Sequence, residues 1–353
     1  MKVLSVVGTR PQIIKLAPLC KAMEAYPQLT HAVCHTGQHT DVLLSEVFFQ
    51  QLGIPKPHFH FELQAQTALG KVHQMMTQLS SLFHLEEPDW VLLYGDTNTT
   101  LAGALVAKLM GIKTAHIEAG LRSYRKSMPE EFNRITSDAA ADLLFTSSHK
   151  GSETLKVEAN PAPVVYCGDL MYESQQLALQ ASPQWPSEMG QVPGSYLLFT
   201  LHRRENLTEQ RLNQCSALLH RLAQHYTIIF PVHPGTRKAM KARHFPENLV
   251  PIDPLGYVEM THLLKGAQAL LTDSGGLQKE AYYLKTPCLT LRAETEWTEL
   301  IEAGVNQLTD LEEERVMKGL AHFEQQPPAF PQSLYHEVPA SKTIIETLLN
   351  AQS

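Results

Sequence analysis

Short apolar runs recur along the chain, separated by stretches in which apolar residues have helical spacing. The runs are continuous rather than alternating, as expected of strands buried on both faces of a parallel sheet. They occupy residues 3–7, 90–94, 114–117 and 143–146, and then 196–201, 227–232, 269–272 and 288–291. Amphipathic stretches such as residues 101–110 and 212–224 lie between them. The alternation predicts right-handed βαβ units, and hence an α/β fold with doubly wound parallel sheets.

A stretch rich in proline and glycine near residues 172–195 divides the chain into two halves. The 353 residues also fit two domains of about 150 residues each. We therefore predict one Rossmann-like domain over residues 1–170 and a second over residues 171–337. Residues 338–353 contain an amphipathic segment near 341–350, which predicts a closing helix.

Composition and missing motifs narrow the class of protein. The net charge of −7, without a basic block, argues against a nucleic-acid partner. The sequence has neither an apolar run of about 18 residues nor a signal-peptide pattern, so we expect a cytoplasmic protein with no membrane partner. The five cysteines lack metal or redox spacing and are predicted to be reduced packing residues. No dinucleotide fingerprint, P-loop or metalloprotease motif occurs, so neither a cofactor nor a metal site is predicted.

Polar and glycine-rich clusters directly follow six of the predicted strands. They lie at residues 8–11, 95–97, 118–120, 202–205, 233–236 and 273–276. Open α/β sheets bind ligands at the carboxyl ends of their strands. Polar residues that merely end strands would explain one or two such clusters, whereas six predict a ligand site in each half.

One of these clusters, Ser274-Gly275-Gly276, stands at the start of a predicted helix over residues 277–284. Two glycines in a first helical turn each cost roughly 1 kcal/mol relative to alanine. That cost is explained if a phosphate must approach the backbone amides at the helix N-terminus. Capping by Ser274 is the alternative, and it explains the serine but not both glycines.

Three cationic or titratable side chains stand near such turns. Arg10 and Lys15 bracket the first strand–helix turn, where they could stabilise a diphosphate or be ordinary surface charges. His202 follows a buried strand and precedes two arginines, a cluster suited to phosphate oxygens, although a lone histidine is more often structural.

Candidate acid–base groups are the carboxylates of Asp96, Glu118 and Glu130. Asp96 and Glu118 follow neighbouring strands, where burial could raise a pKa, and such groups suit proton abstraction and donation. Glu130 has an alternative role in a capping box with Ser127 as the N-cap residue.

Glu131 and Arg134, which follow Glu130, could form an ordinary i, i+3 helical pair.

The motifs together resemble one family, the non-hydrolysing UDP-N-acetylglucosamine 2-epimerases. The likeness spans residues 2 to about 310, and the motifs occur in family order. They are Gly8-Thr9-Arg10-Pro11-Gln12-Ile13-Ile14-Lys15, Gly95-Asp96-Thr97, His116-Ile117-Glu118-Ala119-Gly120-Leu121-Arg122, Met128-Pro129-Glu130-Glu131-Phe132-Asn133-Arg134 and Thr272-Asp273-Ser274-Gly275-Gly276-Leu277-Gln278-Lys279-Glu280-Ala281.

The resemblance implies a GT-B fold, with the active-site cleft between two Rossmann-like domains and the helix within residues 338–353 crossing back to the first. It implies reversible epimerisation at carbon 2 of a UDP-N-acetylhexosamine, without NAD or metal. In such enzymes UDP is eliminated while the carbon 2 proton is removed, and it adds back to a 2-acetamidoglucal. The family also implies a homodimer that makes precursors of cell-surface polysaccharides.

Residue roles follow from the same resemblance. Asp96, Glu118 and Glu130 would be the acid–base residues, and His202 would contact the diphosphate and assist the leaving group. Further residues would bind UDP: Arg10, Ser274, Gly275 and Gly276 the phosphates, with Lys15 nearby, Glu280 the ribose hydroxyls, Tyr257 the region of the uracil, and Arg292 as a further contact.

The sequence departs from the commonest family pattern at several positions. Gln12 and Lys279 each stand where glutamate is frequent, and Glu296-Trp297-Thr298-Glu299 replaces a frequent Glu-Arg-Pro-Glu. Residues 63–69 lack the segment that some bacterial members use for allosteric activation, which leaves that regulation in doubt.

Three segments resemble a subgroup that acts on UDP-2,3-diacetamido-2,3-dideoxyglucuronate, an O-antigen precursor. They are Thr295-Glu296-Trp297, Gln278-Lys279-Glu280-Ala281 and Gly53-Ile54-Pro55-Lys56-Pro57. The carboxylate of such a substrate needs a cationic partner, for which Arg122, Arg125 and Lys126 are candidates. A GT-B glycosyltransferase, a hydrolysing epimerase and a non-catalytic UDP-sugar sensor are further alternatives.

Overall fold

The computed structural model describes residues 1–38, 49, 51–125, 127–186, 194–241, 243–331, 334–335 and 338–351. Part of the predicted link, residues 187–193, and the candidate Lys126 therefore lie outside the described residues. The chain divides into two compact units, Met1–Leu177 with Gln332–Ser353, and Ala178–Pro331. The boundary predicted at residue 170 falls at the start of a helix, Leu170–Gln180. The observed boundary between the two units lies within that helix, between Leu177 and Ala178.

The N-terminal unit is built on a parallel sheet whose described strands have the order β3-β2-β1-β4-β5-β6-β7. Its strands are β1 (Lys2–Val7), β2 (Thr30–His35), β3 (Phe59–His60), β4 (Trp90–Tyr94), β5 (Lys113–Ile117), β6 (Leu143–Thr146) and β7 (Val164–Tyr166). Its helices are α1 (Arg10–Met23), α2 (Ala68–Glu86), α3 (Asn98–Met110), α4 (Pro129–Ala140), α5 (His149–Val157) and α6 (Leu170–Gln180), which reaches into the second unit.

The C-terminal unit repeats this plan with the strand order β10-β9-β8-β11-β12-β13, again all parallel. Its strands are β8 (Leu197–Thr200), β9 (Ile228–Pro231), β10 (Leu249–Ile252), β11 (Ala269–Thr272), β12 (Cys288–Thr290) and β13 (Asn306–Leu308). Its helices are α7 (Glu209–Leu222), α8 (Pro234–Ala239), α9 (Tyr257–Gly266), α10 (Gly275–Tyr283), α11 (Thr298–Glu302) and α12 (Glu313–Gln325), with a 3-10 turn at Arg204–Leu207.

The closing helix, α13 (Ala340–Asn350), belongs to the N-terminal unit, where it contacts α1. It buries Ile344, Ile345 and Leu348, and the Ser341 amide donates to Glu173 of α6 at 3.2 Å. Apolar burial and this hydrogen bond together hold the last described helix on the first part of the chain.

Continuous apolar strands are buried on both faces, as their sequence predicts. Leu197 and Phe199 of β8 enter one hydrophobic cluster, whereas Leu198 of β8, which points to the other face, and the preceding Tyr196 enter a second. The helices on both faces therefore cover the sheet, and the prediction of a doubly wound α/β fold is confirmed.

The five cysteines are free and buried, in agreement with their prediction as reduced packing residues. Burial raises the pKa of Cys20, Cys215 and Cys288 to about 12, so their thiols stay protonated in the folded protein. Within the described residues, no helix combines the length and the apolar character needed to cross a membrane.

Candidate functional site

Each sheet has a point at which the strand order reverses direction. In the N-terminal unit the chain moves outward from β1 to β3 and then returns to the other side of β1 at β4, and in the C-terminal unit β8 and β11 play the same parts. Ligands of open α/β sheets bind outside the carboxyl ends of the strands at such a point. The predicted clusters at residues 8–11, 95–97, 202–205 and 273–276 directly follow these four strands.

In the N-terminal unit, Lys15 of α1 forms an ion pair with Glu118, which follows β5. The two side chains are 10% and 15% exposed, respectively. Burial alone would lower the pKa of Lys15, but Glu118 and more distant carboxylates raise it above its usual value. The backbone of Glu118 has φ of 71°, in the left-handed region that non-glycine residues rarely adopt. Such strain persists where the surrounding structure fixes a functional side chain.

Asp96, which follows β4, is partly exposed to solvent and also contacts Arg134 of α4. The guanidinium donates to Asp96 Oδ2 at 2.5 Å and to Glu131 Oε2 at 3.1 Å. Burial raises the pKa of Asp96, and the pull of Arg134 only partly opposes it. The i, i+3 pair of Glu131 and Arg134 is therefore real, but it also links Asp96 to the start of α4.

Glu131 is held in its charged form by hydrogen bonds from the preceding loop. Its carboxylate accepts from the amide and hydroxyl of Ser123 at 2.8 Å each and from the amide of Tyr124 at 2.9 Å. Burial would raise the pKa of Glu131, but these bonds lower it overall. Glu131 thus acts as a fixed anion that orients Arg134.

The capping box predicted for Glu130 is wrong, because α4 begins at Pro129 and its N-cap residue is Met128 rather than Ser127. Proline favours the first helical position and keeps the preceding residue extended, which moves the cap one residue along the chain. Glu130 is exposed. It lies on the same helical face as Asn133 and Arg134, both of which contact Asp96.

A fully buried network lies beside these carboxylates. His116 Nδ1 is 2.7 Å from Asp138 Oδ1, and His116 Nε2 is 2.7 Å from the carbonyl oxygen of Gly95. Asp138 Oδ2 also faces Arg122 Nη1 at 2.8 Å. The network joins β5, α4 and the turn after β4.

Arg122 is tied into this network and does not present its guanidinium to solvent. Its side chain is 2% exposed, and it donates to both carboxylate oxygens of Glu158 at 2.8 and 2.7 Å. Arg122 is thus engaged by the buried Asp138 and the exposed Glu158, which weakens its candidacy as the partner of a substrate carboxylate. Arg125, the neighbouring candidate, is exposed.

In the C-terminal unit, the buried carboxylate of Asp273 organises the turn that carries His202. It accepts from the amides of His202 and Arg203 at 3.1 and 2.9 Å, and from Asn206 Nδ2 at 3.0 Å. Its Oδ1 lies 3.1 Å from His202 Nδ1. Burial alone would raise the pKa of Asp273, but these partners lower it, so Asp273 stays ionised. The His202 side chain, 42% exposed, is fixed at one end and open at the other.

The two glycines at the start of α10 are needed for different reasons. A Cβ at Gly275 would lie 2.2 Å from Glu296 Oε1, so this glycine makes room for a side chain of the protein itself. Gly276 is exposed, and among the described residues the nearest atom to a Cβ there is Glu280 Oε1 at 3.9 Å. Ser274 makes no side-chain cap. The absence of that cap leaves the helix N-terminus at Gly276 as the better phosphate candidate.

Side chains of residues 296–299, the segment that differs from the commonest family pattern, pack directly on this turn. Glu296 accepts from Arg292 Nη1 at 2.9 Å, and Trp297 Nε1 donates to the Gly275 carbonyl at 2.9 Å. The Lys279 ammonium lies 4.5 Å from the centroid of the Trp297 ring, a cation–π geometry. The two departures from the family pattern, Lys279 and Trp297, are therefore partners.

The remaining predicted site residues occupy varied environments. Arg10 is exposed at the start of α1, and Glu280 and Arg292 are both 8% exposed. Tyr257 begins α9 with its side chain only 1% exposed, so the structure does not present its ring to a nucleobase.

Three residues of these clusters were not predicted as site residues from the sequence. Asp138 lies four residues after the quoted motif that ends at Arg134, but its partner His116 is 22 positions away, so their contact is not evident from the sequence. Asp273 and Arg203 lie inside the quoted clusters, and their position directly after a strand is the signal that could have identified them.

Comparison with known proteins gives a consistent result. The family model described as UDP-N-acetylglucosamine 2-epimerase matches residues 21–349. A UDP-N-acetylglucosamine 2-epimerase homolog of Methanococcus maripaludis is 39% identical over 99% of this chain and 100% of its own. The UDP-2,3-diacetamido-2,3-dideoxy-D-glucuronate 2-epimerase of Pseudomonas aeruginosa is 40% identical over 87% of this chain and 88% of its own.

Among solved structures, UDP-GlcNAc 2-epimerase of Methanocaldococcus jannaschii in complex with UDP-GlcNAc and UDP aligns with a TM-score of 0.86 and 31% identity. The alignment covers 99% of this chain and 100% of that one, which confirms the GT-B-like class of fold. The motif order, the matched model and these relatives agree, and the chain belongs to the UDP-N-acetylglucosamine 2-epimerase family.

Proposed function

We propose that the protein reversibly epimerises carbon 2 of a UDP-N-acetylhexosamine, of the UDP-GlcNAc to UDP-ManNAc type. A base removes the carbon 2 proton while the bond from carbon 1 to the UDP oxygen breaks, which leaves a 2-acetamidoglucal and UDP. UDP then adds back to carbon 1 as an acid protonates carbon 2 on the opposite face. The observation that carries the proposal is the partly buried pair of carboxylates, Asp96 and Glu118, with their cations Arg134 and Lys15.

In this scheme Asp96, Glu118 and Glu130 supply the acid–base chemistry. The raised pKa of Asp96 suits a group that must hold a proton in one step and release it in another. Lys15 and Arg134 limit the electrostatic repulsion between neighbouring carboxylates.

UDP is the proposed ligand of the Gly276 turn and of the partly exposed His202. Amides at a helix N-terminus favour phosphate oxygens, and His202 would assist the departure of the diphosphate. Arg10, Lys15, Ser274, Gly275, Glu280 and Arg292 complete the proposed set, whereas the buried ring of Tyr257 makes a stacking contact with uracil the weakest of these assignments.

A second substrate, UDP-2,3-diacetamido-2,3-dideoxyglucuronate, is favoured by one observation, the 40% identity to the Pseudomonas aeruginosa relative named for it. The Lys279–Trp297 pair also belongs to the departures that suggested this subgroup. Arg122 is engaged by Asp138 and Glu158. Among the described residues, the exposed Arg125 is therefore the better candidate to bind the carboxylate of this substrate.

The test is proton NMR in deuterated water with each UDP-sugar in a separate tube. We expect deuterium at carbon 2 and new manno-configured signals with one of the two sugars, which names the substrate. Steady release of free UDP would indicate a hydrolysing epimerase. Binding of UDP without any exchange would overturn the proposal in favour of a transferase or a sensor.

Three finer expectations belong to the same proposal: a homodimer, a cytoplasmic location, and a role in precursors of cell-surface polysaccharide such as O-antigen. The homodimer and the polysaccharide role rest on the family likeness, whereas the location is the expectation drawn from the sequence. Light scattering of the purified protein tests the first of them directly.

A further inference from the structure

His116 is a fully buried histidine whose two ring nitrogens both face hydrogen-bond acceptors. Its side chain is 0% exposed. Nε2 lies 2.7 Å from the carbonyl oxygen of Gly95, and Nδ1 lies 2.7 Å from Asp138 Oδ1. A carbonyl oxygen can only accept, so Nε2 must carry a proton.

The second proton of this pair belongs either to Nδ1 or to Asp138. The other oxygen of Asp138 faces Arg122 Nη1 at 2.8 Å and accepts from the amide of Gly120 at 3.2 Å. Both groups on that oxygen are donors, and one of them is a guanidinium, an arrangement that stabilises a carboxylate rather than a carboxylic acid. Asp138 is therefore the anion, and Nδ1 holds the proton.

We propose that His116 is an imidazolium at neutral pH that clamps the two turns carrying Asp96 and Glu118, as a positioning residue for the reaction. One end of the ring holds the Gly95 carbonyl, directly before Asp96. The other end holds Asp138, whose second oxygen fixes the Gly120 amide just after Glu118. This inference rests on the proposed function, because it assigns a role to those two carboxylates.

The charged groups around His116 set the direction of its pH dependence. Asp138 of α4 and Glu118 raise the pKa of His116, although burial acts in the opposite direction, and Arg122 is paired with Asp138. Because the folded pKa is raised, the stabilisation is complete below the unfolded pKa and is lost as pH rises through the folded value. The clamp should therefore loosen in alkaline solution and not in acid.

His31 in the same unit provides a natural contrast. Its Nε2 lies 2.9 Å from the hydroxyl of Ser5, which can donate as well as accept. No carboxylate contributes to the change in the pKa of His31. Burial lowers the pKa of His31 to about 4. Two largely buried histidines of one sheet are thus expected in opposite charge states at neutral pH.

Nitrogen-15 NMR of histidine-labelled protein tests the charge directly. The variants His116→Gln and His31→Gln identify the two signals among the 17 histidines. At pH 7.5 we expect the equal nitrogen shifts of an imidazolium for His116 and the split shifts of a neutral ring for His31. A neutral ring at His116 would overturn the inference, even if the Gln variant did not fold.

Kinetics test the positioning role. We expect His116→Gln to lower kcat at least about tenfold with the Kd for UDP within about twofold. The alkaline fall of kcat that we expect of the wild type should be absent in this variant. His31→Gln should match the wild type. An imidazolium signal with unchanged kcat and pH profile in His116→Gln would refute the role, whereas an imidazolium in a wild type that exchanges no deuterium would refute only the proposed function.

Discussion

The two units repeat one strand plan, yet the residues at their reversal points work by different means. In the N-terminal unit, side chains of opposite charge neutralise one another near these points: Lys15 of α1 with Glu118, which follows β5, and Arg134 of α4 with Asp96, which follows β4. In the C-terminal unit, the turns after β8 and β11 are shaped by backbone groups, with Asp273 binding two amides and Gly276 left open.

This difference teaches which kind of change each region tolerates. A network of partly buried charges depends on the protonation of each member, so an isosteric neutral substitution is expected to disable it. A backbone site depends on open space and on the course of the chain, so an added methyl group is expected to matter more there than a changed charge. The predictions below separate these two sensitivities.

The largest effect is expected for Asp96→Asn, which keeps the shape and removes the titrating group. Loss of a general acid or base typically lowers turnover at least ~100-fold. Carbon 2 exchange by NMR should fall by that factor while calorimetry shows UDP binding unchanged. Near-normal epimerisation would remove Asp96 from the mechanism and reverse the comparison.

Asp273→Asn should come next, as a loss of stability rather than of chemistry. The substitution replaces one carboxylate oxygen by an NH2 group, which cannot accept from the buried N–H donors around it. Leaving those donors unsatisfied costs roughly 1–3 kcal/mol in unfolding free energy. Denaturant titration measures this loss.

The same residue gives a prediction with pH. The folded pKa of Asp273 is lowered, so its stabilisation is present above the unfolded pKa and is lost as pH falls through the folded value. The stability gap between wild type and Asp273→Asn should therefore close in acid, and a gap that persists there would contradict an ionised Asp273.

Gly276→Ala should weaken UDP about tenfold, or roughly 1.4 kcal/mol, because the methyl group occupies the approach to the helix amides. The protein itself has room for it, so the melting temperature should stay the same or rise slightly. Gly275→Ala is the matched control, since its methyl group would strike Glu296 and should lower stability as well. Unchanged UDP affinity in Gly276→Ala would mean that the phosphate binds elsewhere.

The smallest effect is expected for Trp297→Phe. The ring face that Lys279 contacts is kept, while the hydrogen bond to the Gly275 carbonyl is lost. One such bond contributes about 0.5–1.5 kcal/mol, so a small fall in thermal stability should appear with little change in kcat. A large fall in kcat would mean that this indole takes part in more than supporting the turn.

The sequence was a good guide to the centre of each sheet and a poor one to its edges. Every apolar run predicted as a strand forms one. Strands β3, β7, β10 and β13 lie at the sheet edges and were not predicted. Three of them have only two or three residues, β10 contains Pro251, and all four are only partly buried. β2, which begins with exposed or half-buried polar residues, was missed for a similar reason.

Site residues were predictable where a strand end places them, and less so where partners lie far apart in the chain. Asp96, Glu118 and His202 directly follow buried strands, whereas Arg122 is engaged by Glu158, 36 residues away. The misplaced cap at Ser127 shows that a local pattern can be overruled by a single proline, Pro129.

The five buried cysteines give the protein built-in reporters of its own opening. Cys20, Cys34 and Cys167 lie in the N-terminal unit, and Cys215 and Cys288 lie in the C-terminal unit. Only a thiolate reacts, and burial keeps these groups protonated, so each should be alkylated only when its surroundings unfold. Mass spectrometry after timed alkylation would therefore report the opening rate of each unit separately, without any engineered label.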